Sequence, residues 1–207
     1  RYLDLACVLS KKENFKECFK RYRSPRESMY LCAILNSFIV DYIIRQKITT
    51  NLNSFFLYEI PIPRLSEGDW FLEQIVPRTA RLLCTSREFS ELWRDTYSPE
   101  WKRLSVKDGG TSILQDWNRL KPIWTEACAV YGLDETKHDI GDRAQLRCEI
   151  DALIAHLFGL NRNELKYVLS LFPIVKKKSP WLIEGVVMEF ERLKDLSQEK
   201  MTICGRN

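Results

Sequence analysis

Over residues 29–45 apolar side chains recur at helical spacing: Leu31, then Ile34 with Leu35, Phe38 with Ile39, and Tyr42 with Ile43. They surround most of the helix circumference, so the pattern predicts one internal helix rather than a surface one. The β-branched pair Thr49 and Thr50 disfavours its continuation. Next, Phe56, Tyr58, Ile60 and Ile62 alternate with Leu57, Glu59 and Pro61, the period of a short strand. Pro61 and Pro63 confine such a strand to a sheet edge or end it.

Beyond Pro63 the pattern is helical and clearly punctuated. Asp69 caps a predicted helix reaching about Cys84, in which Pro77 must make a kink or mark a start. Another is predicted from Ser86 to about Tyr97, and one from Thr111 or Ser112 to Tyr131, broken at Pro122. Tyr131-Gly132-Leu133 and Phe158-Gly159-Leu160 each set glycine where a left-handed residue closes a helix, with leucine as the following contact. Asp142 with Gln145, and Asn161 with Glu164, have the spacing of capping boxes. They place helix starts at Arg143 and Arg162. A last amphipathic helix, from Trp181 to about Leu196, carries Val186, Val187, Phe190 and Leu193 on one side. In sum, the expected fold is mainly α with a small α/β lobe. A mixed lobe runs to about residue 65, incomplete without further strands, and a helical region occupies 66–207.

Composition narrows the class without naming it. The 45% hydrophobic content supports a real core. The most apolar window, 28–44, is interrupted by Asn36, Ser37 and Asp41 and is short for a membrane span, so a buried helix is expected there. Beginning at Arg1 rather than Met, with no secretory signal, the sequence reads as a C-terminal piece of a larger protein. Seven cysteines form no CxxC pair, and His138 and His156 cannot complete a zinc set, so reduced thiols of a cytoplasmic protein are expected. His156 lies among leucines and reads as a packed imidazole, Asp151 as a surface carboxylate.

The net charge of +4 matters less than its distribution. Residues 1–50 hold ten Lys and Arg against five acids, whereas 66–135 hold nine against twelve. A basic first third suits contact with a phosphate backbone, or is simply a solvated face. Trp93, Trp101, Trp117 and Trp124 stand in the acidic middle, where exposed indoles would suit a protein partner.

Two blocks of sequence carry a resemblance. The first is LCAILNSFIVDYIIRQK followed by NLNSFFLYEIPIP, residues 31–63. The second is Arg143-Ala144-Gln145-Leu146-Arg147, then Glu149-Ile150-Asp151-Ala152-Leu153-Ile154-Ala155-His156-Leu157-Phe158-Gly159-Leu160, then Glu164-Leu165-Lys166-Tyr167-Val168-Leu169 and Phe172-Pro173. In this order they resemble the end of the target-recognition region and the helical tail of large DNA adenine-N6 methyltransferases. Such enzymes belong to type II (IIG-like) restriction-modification and related phage-defence systems. The likeness covers roughly residues 28–95 and 140–175; from Pro180 onward the chain departs from the family's GEYRT-like segment. It implies a prokaryotic cytoplasmic enzyme that uses S-adenosylmethionine and acts on double-stranded DNA. The portion seen here would choose the site, while an N-terminal catalytic region of the same polypeptide transfers the methyl group.

The chemistry of methyl transfer is absent from the sequence itself. There is no Pro-Pro dipeptide for an Asn-Pro-Pro-Tyr segment, and Gly109-Gly110 stands alone in a polar turn. Nuclease, phosphate-loop and nucleophile–histidine patterns are likewise missing. The chain is therefore expected to be non-catalytic and to hold no cofactor or metal of its own. Its candidate DNA-binding residues are Lys11, Lys12, Lys20, Arg21, Arg23, Arg45, Lys47, Asn51, Asn53, Lys176, Lys177 and Lys178. Arg45 and Lys47 equally complement a helix C-terminus. Asn51 and Asn53 either read adenine or bond local backbone. The lysine triad, placed on an expected loop, is a phosphate contact or a solvated turn. A helical module that docks a protein partner is the alternative function.

Overall fold

The computed structural model describes residues 24–47, 60–84, 89–98 and 135–203. Their helices are α1 (Pro25–Leu35), α2 (Phe38–Lys47), α3 (Trp70–Leu83), α4 (Ser90–Thr96), α5 (Glu135–Leu157), α6 (Arg162–Ser170), α7 (Pro173–Lys178) and α8 (Pro180–Ile203). The described residues are thus mainly helical and include no strand. Of the strand expected at 56–62, residues 56–59 lie outside the described residues, and 60–63 are not extended into a ladder. Two compact units interleave along the chain: one draws on Arg1–Ala33 and Glu73–Leu146, the other on Ile34–Leu72 and Arg147–Asn207.

In the first unit, α1 opens with a capping box. The Glu27 N–H donates to Ser24 Oγ (3.2 Å), and the Ser24 N–H to Glu27 Oε2 (2.8 Å). Pro25 takes the first helical position, where its missing N–H costs nothing. Arg26 forms an ion pair with Glu73 of α3. The greater part of α3 also belongs here. Between Gln74 and Leu82 every residue is buried, including Arg78 and Arg81. Such a helix must satisfy polar groups internally: Arg78 Nη1 donates to the Gln74 carbonyl (2.6 Å), and Thr79 Oγ1 to that of Ile75 (2.9 Å). The helix continues through Pro77 instead of starting there. Arg143 of α5 donates to the Leu82 carbonyl at its far end (3.1 Å). In α4 Trp93 is buried against Tyr97, which corrects its expected exposure; the helix start expected at Ser86 lies outside the described residues. Trp101, Trp117 and Trp124 lie outside the described residues.

In the second unit, α5 is the central element: every residue from 148 to 157 is buried. This helix begins at Glu135, not Arg143, so positions 142 and 145 lie inside it and not at its start. Gly141 lies inside it at a cost of about 1 kcal/mol relative to alanine, small beside the burial of the helix's second half. Its end is as expected. Gly159 has φ +73°, its N–H donates to the His156 carbonyl (2.9 Å), and that of Leu160 to Ala155 (3.0 Å), the two bonds of a Schellman ending. Asn161 and Glu164 then cap α6 reciprocally, with Asn161 Oδ1 accepting from Glu164 (3.1 Å) and Glu164 Oε2 from Asn161 (2.8 Å). α6 buries Leu165, Val168 and Leu169 and packs against α2 and α8.

The single helix expected over 29–45 is two, because Asn36 and Ser37 interrupt it. Ser37 caps the second: its Oγ accepts from the Val40 N–H (3.2 Å) while its hydroxyl donates to the Ile34 carbonyl (2.8 Å). The Phe38 N–H, left over by the break, donates to Asp151 Oδ1 at 2.9 Å. Asp151 is accordingly buried, at 3% exposure, instead of on the surface. α7, where a loop was expected, packs against α8. α8 extends to Ile203 and buries Leu182, Val186, Phe190 and Leu193 as a helical stripe.

Candidate functional site

Among the candidate DNA-binding residues, Lys11, Lys12, Lys20, Arg21, Arg23, Asn51 and Asn53 lie outside the described residues. The remainder belong to the second unit. Arg45 and Lys47 occupy the last turn of α2, where a cation complements the helix dipole. Arg45 is engaged: Nε donates to Asp41 Oδ1 (2.9 Å), Nη2 to Oδ2 (3.0 Å), and its guanidinium lies 4.8 Å from the centre of the Phe172 ring. The hydrogen bonds to Asp41 raise its pKa further, although burial opposes this.

Lys176, Lys177 and Lys178 form the last turn of α7, so their charges face the negative end of a short helix. Phe172 connects the two basic groups. It precedes α7 directly, its carbonyl accepts from the Lys176 N–H (3.0 Å), and its ring receives Arg45 and the edge of Phe38 (4.9 Å). All three lysines are exposed, and none forms an ion pair among the described residues. No Asp or Glu occurs from Leu165 to Ile183, so the triad has no carboxylate close in sequence. Nearby apolar side chains are exposed as well: Leu171 39%, Ile174 70% and Trp181 44%. The result is a strongly cationic surface with hydrophobic interruptions, suited to holding a multiply charged anion that carries aromatic or apolar parts.

The buried ionisable groups of this unit serve the fold. His156 stacks on Phe190 with ring centres 3.9 Å apart, and its Nε2 donates to the Phe190 carbonyl at 2.8 Å. Burial lowers its pKa despite that bond, which fits the expected packed imidazole. Burial pushes the Cys148 thiol up to about 12, with Asp151 and Glu189 adding to the shift, and Cys84 of the first unit also to about 12. Neither is a ready nucleophile. No group of three or more His, Cys, Asp or Glu among the described residues has metal-binding geometry.

One feature without a sequence signal is an apolar cleft of about 460 Å³ in the second unit. Ile39, Tyr42 and Ile43 of α2 face Phe158, Tyr167 and Val168 across it. Tyr167 is 60% exposed at the cleft. Its lining comes from segments more than a hundred residues apart, which no local pattern joins.

No single helix among the described residues is long and apolar enough to cross a membrane. Comparison with protein-family models, with curated proteins and with solved structures gives no match.

Proposed function

We propose that this chain is the DNA-contacting, site-choosing portion of an S-adenosylmethionine-dependent DNA adenine-N6 methyltransferase of the restriction-modification type. In this reading the partner is double-stranded DNA, and methyl transfer belongs to an N-terminal catalytic region of the same polypeptide in a prokaryotic cytoplasm. The mixed α/β lobe ending near residue 65, and the helical region beyond it, are part of the same proposal. Support comes from the order of the two motif blocks. The physical observation that carries the reading is the exposed triad Lys176, Lys177 and Lys178, three cations on one helical turn without carboxylate partners among the described residues. Such groups gain most by displacing counterions from a polyanion, because no internal pair must first be broken.

The experiment is duplex binding by this chain as a function of salt. Each phosphate contact contributes about 0.9 to the slope of log affinity against log salt. Wild type is expected to lose affinity steeply, and replacement of the three lysines by alanine to reduce the slope by about 2 to 3. A slope unchanged by that replacement removes the triad from the interface.

A second reading, a helical module that docks a protein partner, is favoured by the apolar cleft between α2 and α6 with Tyr167 exposed beside it. Undetectable duplex binding at low salt, together with a co-purifying protein lost on Tyr167→Asp, would select that reading instead.

A further inference from the structure

The lysine triad explains affinity for phosphate but leaves the apolar groups beside it unexplained. Trp181 stands in the first turn of α8, 44% exposed, three residues after Lys178. The Cα atoms of Lys178 and Trp181 are therefore at most about 11 Å apart, and the flexible lysine stem allows its ammonium to approach the indole. The joint between them is stiff. The Ser179 N–H donates to the Val175 carbonyl (2.7 Å), and the Leu182 N–H to that of Ser179 (3.0 Å). Pro180 fixes its own φ at the start of α8. From the protein side, the Arg147 guanidinium lies 6.0 Å from the centre of the Trp181 ring. An indole held in this way, beside cations with no ion pair among the described residues, offers a stacking surface at little entropic cost.

We propose that the corner formed by α7 and the start of α8 is a seat for an unpaired nucleotide, with Trp181 stacking on its base and Lys176, Lys177 and Lys178 holding the flanking phosphates. The proposal rests on the DNA reading above and adds to it a place for a nucleotide that is not paired within that DNA. In a duplex both faces of each base are already covered, and inserting a side chain requires unstacking a step. An unpaired base presents its face freely, and stacking on an aromatic ring is sequence-tolerant. A lipid surface would also attract lysines and an exposed tryptophan. However, interfacial binding of that kind uses the apolar face of an amphipathic helix. Here α7 has six residues, and the apolar stripe of α8 (Leu182, Val186, Phe190, Leu193) is buried in the protein.

The test compares labelled oligothymidylate, a fully paired duplex of equal length and anionic phosphatidylserine vesicles, each against wild type, Trp181→Ala and Trp181→Phe. Trp181→Ala is expected to weaken oligothymidylate binding about tenfold or more while changing duplex binding little, with Trp181→Phe recovering most of the loss. Equal effects of Trp181→Ala on both oligonucleotides, or on neither, overturn the seat and leave the DNA reading standing. Absence of binding to either oligonucleotide at low salt overturns both. Vesicle binding that depends on Trp181, without oligothymidylate binding, identifies the corner as a membrane contact and also overturns it.

Discussion

At the scale of single residues, the second unit is organised by buried polar groups, of which the sequence reading expected His156 inside but left Asp151 in solvent. Asp151 supplies the acceptor for the Phe38 N–H, and His156 holds the Phe190 carbonyl through Nε2 while stacking on its ring. The imidazole gives this arrangement a pH dependence. Unfolded, His156 binds a proton near pH 6.5; folded, burial keeps it neutral to lower pH, with Lys194 opposing the proton and Glu191 favouring it. As pH falls below 6.5 the unfolded chain therefore takes up more protons than the folded one. Its contribution to stability is full above 6.5 and declines as the pH drops toward the folded value. Urea unfolding at about pH 7.5 and about pH 5.5 measures this decline, and His156→Gln should lower stability at the higher pH while flattening the difference between the two. An unchanged difference in the variant would locate the pH dependence elsewhere.

At the scale of elements, α5 and α8 approach each other where glycine permits it. A Cβ at Gly185 would lie 2.6 Å from Cys148 Sγ, with the next nearest atom, Cys148 Cβ, at an ordinary 3.5 Å. Gly185→Ala gains up to about 1 kcal/mol of helix propensity but forces the buried thiol to move, which costs about 1–3 kcal/mol. The net expectation is destabilisation, reversed in part when Cys148→Ala removes the sulfur. A double-mutant cycle by chemical denaturation should then show coupling of about 1 kcal/mol or more; additive effects would mean that the helices separate freely. The end of α5 and the start of α6 were legible because their signals are local. Asn161 with Glu164 and Gly159 with Leu160 act within one turn, and the α8 stripe repeats at helical spacing inside one continuous segment. The Ser24–Glu27 box is just as readable, although apolar periodicity alone starts that helix at Met29. What periodicity could not show is the break at Asn36 and Ser37, because the carboxylate that stabilises it is 113 residues away. Likewise the lysine triad is obvious in sequence, but its place on a helix and its lack of ion pairs among the described residues depend on packing. The cleft between α2 and α6 has no local signal at all.

At the scale of the whole molecule, the division between the two units falls inside α1, α3 and α5 and not in linkers. Chain connectivity of this kind makes independent opening costly, since either unit can unfold alone only by ending three helices in mid-course, where each new end exposes unpaired backbone groups. Two thiols can report on it separately: Cys84 is buried in the first unit and Cys148 in the second. Both have pKa values pushed from 9.0 to about 12, so the thiolate fraction of each near pH 8 is about a thousandfold below that of an ordinary cysteine. Labelling by a disulfide reagent in the native state should therefore require opening. The measurement uses two variants, each retaining one of these cysteines with every other cysteine replaced, and follows labelling across a range of urea below the unfolding transition. Shared helices predict opening free energies for Cys84 and Cys148 that agree within about 1 kcal/mol and fall with the same dependence on urea, the mark of one cooperative transition. If one thiol labels much faster, with a shallower dependence, the unit containing it opens by itself. The three helices would then be points at which the chain can part and not elements that bind its opening into a single event.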